Sequence, residues 1–78
     1  MDCEAIARLL RAALPDCEIG VSGGGGKFQV TATGAAFAGL NAVKRQQKVY
    51  AILNEHIASG AIHAVSMKLR APDEAANP

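Results

Sequence analysis

The chain begins with a 3.6-residue rhythm. Ile6, Leu9, Leu10 and Ala13 recur at the spacing of one buried helical face, which predicts a helix over residues 2–14. Asp2 and Glu4 suit its positive N-terminal end, Glu4 can reach Arg8 one turn on, and Pro15 stops it. The period then drops to two. Cys17, Ile19 and Val21 alternate with Glu18, Gly20 and Ser22, and Phe28, Val30 and Ala32 alternate with Gln29, Thr31 and Thr33. Gly23, Gly24, Gly25 and Gly26 lie between these runs, because four glycines are costly to order inside a strand, and the whole reads as a hairpin with a glycine turn.

Helical spacing returns at Ala35. Phe37, Leu40 and Val43 form a short apolar face, and Val49, Ile52, Leu53, His56 and Ile57 a longer one. The polar stretch 44–48 between them predicts a bend or two separate helices. Gly60 is placed to end the second as the residue just past the cap. A last strand sets Val65, Met67 and Leu69 against Ser66, Lys68 and Arg70, and residues 71–78 have nothing to bury and read as a frayed tail. The predicted order is α-β-β-α-α-β: an α+β chain forming a two-layer sandwich, with helices on one face of a three-stranded sheet.

Composition narrows this picture. With 78 residues there is room for one domain, residues 1–78. Half the chain is hydrophobic but only Phe28, Phe37 and Tyr50 are aromatic, so the core is thin and built from Ala, Ile, Leu and Val. A formal charge of +1 does not by itself imply nucleic acid. No basic segment followed by an apolar stretch marks the N-terminus, and no apolar run nears the roughly 20 residues that span a bilayer. Cys3 and Cys17 make no C-x-x-C pair and read as reduced thiols, Cys17 as a small core residue. The expectation is a cytoplasmic protein without membrane association.

Three features could carry chemistry. Lys44, Arg45 and Lys48 could position a phosphate backbone, or be a solvated helix face. The chain between the central helices lacks the G-x-x-G pair with which KH domains clamp a nucleic acid, and stacking aromatics are scarce, so any DNA binding is expected to be weak. The glycine run is followed by a strand and not by a helix, which removes a nucleotide cradle. His63 stands at the start of the last strand and on these grounds alone reads as structural or merely exposed. His56 reads as a core-edge histidine. No nucleophile, base and orienting group can be assembled, so catalysis is not expected.

One further observation comes from the ordered run Phe37-x-Gly39-x-x-x-Val43-x-Arg45-Gln46-x-x-Val49-Tyr50, then Ile62-His63-Ala64-Val65-Ser66-Met67-Lys68. This pattern resembles the BolA-like family from about Ile6 to Pro72. The resemblance implies a class II KH-like fold; a mixed sheet and a chain that is a monomer or weak homodimer when alone are expected with it. It also implies an adaptor that joins a monothiol glutaredoxin and shares a two-iron two-sulfur cluster with it, in iron homeostasis and stress-linked regulation; a KH-like nucleic-acid-binding regulator is the other reading. The isolated chain would carry no cofactor. The family's histidine ligand maps onto His63, and imidazole binds iron well when neutral. A second ligand in relatives, His or Cys, maps onto Lys27, whose ammonium has no lone pair to give. Gly23 to Lys27 would then be a flexible tip beside the partner site. The family's C-terminal Thr-Pro-x-Glu-Trp reads here Ala71-Pro72-Asp73-Glu74-Ala75, without the aromatic.

Overall fold

The computed structural model of the chain describes residues 1–75, in the order α1 (Cys3–Ala13), β1 (Glu18–Gly24), β2 (Lys27–Thr33), a 3-10 turn (Ala35–Phe37), α2 (Ala42–Ala58), β3 (Ala64–Arg70) and α3 (Pro72–Ala75). Asp2 caps α1 by accepting a hydrogen bond from the Ala5 N–H at 2.8 Å, and Glu4 pairs with Arg8 at 3.0 Å as its spacing predicts. Asn41 caps α2 through the Lys44 N–H at 2.9 Å. Gly60 follows the Ser59 cap at φ +85, a conformation a side chain rarely adopts, and the chain turns back there as expected.

The sheet is mixed, with β2 in the middle, antiparallel to β1 and parallel to β3. Its register puts Ile19, Ala32 and Leu69 in one row and Val21, Val30 and Met67 in the next, with Phe28 beside Val65. These residues face the helices. The core joins them to Ile6, Leu10 and Leu14 of the N-terminal segment, Phe37, Val49 and Leu53, and Ile62. The opposite face, with Gln29, Thr31, Ser66, Lys68 and Arg70, is exposed. It is a two-layer α+β architecture with a three-stranded mixed sheet, as the alternation predicts.

Four expectations are corrected. The glycine run is not all turn. Gly23 and Gly24 belong to β1, paired with Phe28 and Lys27, and only Gly25 and Gly26 make the turn, at φ +62 and +82. Two successive positive φ values are what a tight type I′ hairpin requires, so the ladder continues until two residues remain. The expected first central helix is a three-residue 3-10 turn, and residues 44–48 lie inside α2, not between two helices. Val43, assigned to an apolar face, is 61% exposed on that helix, and Ala13 is also exposed, with Ala7 buried in α1 instead. Residues 71–75 are not frayed. Ala71 is buried at 3% exposure and begins α3, with Pro72 in the first helical position. The rest of the expected tail, residues 76–78, lies outside the described residues.

Candidate functional site

The parallel pairing of β2 with β3 brings the hairpin tip to the start of β3. Lys27 is level with Ala64, so the residue level with His63 is Gly26. The Gly26 carbonyl accepts hydrogen bonds from the N–H groups of both His63, at 2.7 Å, and Ala64, at 3.1 Å. His63 and the glycine tip, 37 residues apart in sequence, are therefore neighbours, although nothing in the local patterns links them.

Alternation separates His63 from Lys27. Lys27 shares its parity with Gln29 and Thr31 on the open face, where it lines a shallow depression with Ser22, Gln29 and Ser66. His63 shares its parity with Val65, Met67 and Leu69. It borders a hollow of about 290 Å³ on the helix side, lined by Tyr50, Ile57, Ile62, His63, Ala64 and Val65. The imidazole is exposed, and Tyr50 beside it is 41% exposed. An accessible ring at the rim of an apolar hollow can be reached by a metal centre or a partner surface. In the sequence Ile57 reads as part of an apolar helical face and Tyr50 as an aromatic within the family-like run, and neither reads as lining a site. The signal available was their spacing of seven, which places both on one side of α2.

The donor set is small. Among the described residues no group of three His, Cys, Asp or Glu could hold a metal ion. Cys3 approaches the Gly23 carbonyl at 3.5 Å, and Cys17 is half-buried against the core, its thiol pushed up chiefly by burial, with Asp16 adding to the rise. Both cysteines are free. His56 is half-buried, at the edge of the apolar patch formed by Met1, Leu9 and Ala12. His63 thus offers one exposed nitrogen donor, which suits a terminal ligand to a cluster whose other ligands come from elsewhere and does not suit a cluster held by this chain alone.

The basic trio does not act as a unit. Lys44 and Lys48 are exposed one turn apart. Arg45 points the other way: its Nε donates to the Leu40 carbonyl at 2.8 Å, its Nη1 to the Leu69 carbonyl at 3.1 Å, and its two Nη atoms to Glu74 at 2.5 and 3.0 Å. The side chain is only 13% exposed. A guanidinium whose fork is already filled by carbonyls and a carboxylate has no free edge for a phosphate. Arg45 is therefore withdrawn from the candidate nucleic-acid contacts and becomes the residue that ties α3 to α2 and β3.

Fold and site together define a small mixed α+β protein with one exposed imidazole at the tip of its sheet. The family model described as "BolA-like protein" matches residues 11–74, and the chain belongs to the BolA-like family. It is 47% identical over 74 residues to the acid stress protein IbaG of Escherichia coli K12, covering 95% of this chain and 88% of that one. The structure superposes on a BolA homologue from Coxiella burnetii with a TM-score of 0.85 at 28% identity, covering 99% of both chains. It superposes on the BolA domain of SufE1 from Arabidopsis thaliana with a TM-score of 0.82 at 28% identity, over 91% of this chain and 92% of that one.

Proposed function

We propose that this chain is an adaptor that binds a monothiol glutaredoxin and contributes His63 as a ligand to a two-iron two-sulfur cluster shared with it. The observation that carries the reading is the place of His63: an exposed imidazole, fixed at its backbone by Gly26, beside an apolar hollow able to receive a partner side chain. The partner and the cluster are what the resemblance to the BolA-like family implies, and the single donor agrees with sharing. Bound there, the cluster would take one imidazole nitrogen from this chain. Lys27 adds charge on the opposite face of the sheet and no ligand. The Escherichia coli relative is named an acid stress protein, and a stress-linked role in iron–sulfur handling is the physiological setting we infer for this chain.

The test is to mix the purified chain with a monothiol glutaredoxin, iron, sulfide and glutathione, and record visible absorption and circular dichroism. A coloured mixed complex should form, with a spectrum distinct from that of the glutaredoxin alone. His63→Ala should change that spectrum while Lys27→Ala leaves it nearly intact. A spectrum unaffected by loss of the imidazole removes His63 as a ligand, and failure to form any complex removes the adaptor reading.

A further inference from the structure

Gly26 touches His63 in two ways. Its carbonyl holds the N–H of His63 and the next N–H in the chain, which fixes the backbone on both sides of the His63 carbonyl. Its bare α-carbon also lies against the ring. A Cβ placed at Gly26 would collide with Cδ2 of His63 and stand 3.0 Å from Cγ and 3.1 Å from Nε2. The near equality of the last two distances means that the Cδ2 corner of the ring points at the glycine. Gly25 provides a contrast within the same turn. Its φ of +62 resembles the +82 of Gly26, but a Cβ there would meet nothing within 4 Å. The two residues make the same demand on the backbone and differ in whether a side chain would strike the imidazole.

We propose that Gly26 is a positioning residue for His63: it seats the Cδ2 corner of the imidazole in the volume its missing side chain leaves open. The inference rests on the reading of His63 as a cluster ligand and adds how that ligand is aimed. An exposed histidine ordinarily samples several rotamers, and fixing one of them costs conformational entropy when a partner or metal binds. A ring already seated on the turn has less freedom to lose. The glycine turn is in this view a rigid seat, made of two residues at positive φ, in place of a flexible loop that wraps the partner.

The experiment compares Gly25→Ala with Gly26→Ala. Both substitutions strain the turn by placing a side chain at positive φ. In the isolated chain at one fixed pH, the His63 Hδ2 and Hε1 resonances should stay near their wild-type positions in Gly25→Ala and move clearly in Gly26→Ala. A double-mutant cycle supplies the second measurement. The melting temperature lost through Gly26→Ala should exceed that lost through Gly25→Ala, and the excess should disappear in a His63→Ala background. Equal imidazole shifts in the two variants, or an excess loss that survives His63→Ala, would overturn the positioning role. If Gly26→Ala does not fold, folding recovered by adding His63→Ala supports the proposal and folding not recovered refutes it. In the mixed complex, Gly26→Ala should alter the circular dichroism of the cluster more than Gly25→Ala does. Moved imidazole resonances with an unaltered cluster spectrum would leave the positioning intact and remove His63 as the ligand.

Discussion

Arg45 and Glu74, 29 positions apart, meet through two hydrogen bonds, one from each Nη to a different carboxylate oxygen, and the same carboxylate accepts the Ala71 N–H at 2.9 Å. The short α3 is held by this contact. Glu74 occupies the third helical position and reaches back to the residue before the helix, as in one half of a capping box. Arg45 neutralises the carboxylate while its other donors satisfy the carbonyls of Leu40 and Leu69.

The pair makes stability depend on acidity. The hydrogen bonds from Arg45, then the one from Ala71, lower the Glu74 carboxyl from its ordinary 4.5 to about 2. A carboxyl depressed in the folded state stabilises it fully above its unfolded value and loses that contribution as pH falls toward the folded one. Between about pH 4.5 and 2, thermal melts of the wild type should therefore fall more steeply than those of Glu74→Gln. The variant should start lower at pH 7 and approach the wild type at pH 2. Parallel curves would show that the ion pair does not contribute in solution.

Arg45 should behave unlike the lysines beside it. If Lys44 or Lys48 contacts phosphates, replacement by alanine should leave the fold intact and reduce the salt dependence of nucleic-acid binding by roughly one ion per contact. Arg45→Ala should instead lower the melting temperature and speed amide exchange across residues 71–75, because it removes the guanidinium that bonds the Leu40 and Leu69 carbonyls and leaves Glu74 with the Ala71 N–H but without its ion pair. Hydrogen exchange read by mass spectrometry separates the two behaviours. An unchanged melting temperature in Arg45→Ala would count against its structural role.

Core truncation should follow the burial found in α2. Leu53 is fully buried and Val43 is 61% exposed on the same helix. Leu53→Ala should destabilise the chain by about 2–5 kcal/mol, and Val43→Ala by less than about 0.5 kcal/mol. Urea unfolding gives both numbers. For a chain of this size the first loss is a large share of the total, so Leu53→Ala should be partly unfolded at 37 °C.

The α1 cap offers a smaller test. Asp2 accepts the Ala5 N–H at 2.8 Å, and Asp2→Ala should cost about 1 kcal/mol. Asp2→Asn, which keeps the accepting oxygen, should recover most of it. The difference between the two variants in urea isolates the hydrogen bond from the charge.

Most of the elements were legible because their periods are local properties. The change from 3.6 to 2 and back marks α1, the hairpin, α2 and β3, and Pro15 and Gly60 mark two of the boundaries. Inward and outward positions in the strands follow from alternation alone: Phe28, Val30 and Ala32 are buried, and Gln29 and Thr31 are not. His63 could be named from the sequence because the ordered residues around it resemble the BolA-like pattern.

What the sequence determined by itself was the set of elements and the face each strand buries; it singled out His63 as a candidate ligand only through the resemblance to the BolA-like pattern. Only the tertiary structure decided what those residues do to one another. Four consecutive glycines suggest a turn, but the ladder between β1 and β2 claims Gly23 and Gly24 because each pairing extends the hydrogen-bonded register. Arg45 looks like a surface cation until β3 and Glu74 supply acceptors from 24 and 29 residues away. Residues 71–75 look unable to bury anything, yet Ala71 is buried and the helix that follows it is tied by Glu74 to both Arg45 and the Ala71 N–H. The parallel register of β2 and β3 places Gly26, and not Lys27, beside His63. Each of these depends on long-range pairing, where one residue of register reverses which side chains meet, and such pairing leaves no periodic trace in the chain.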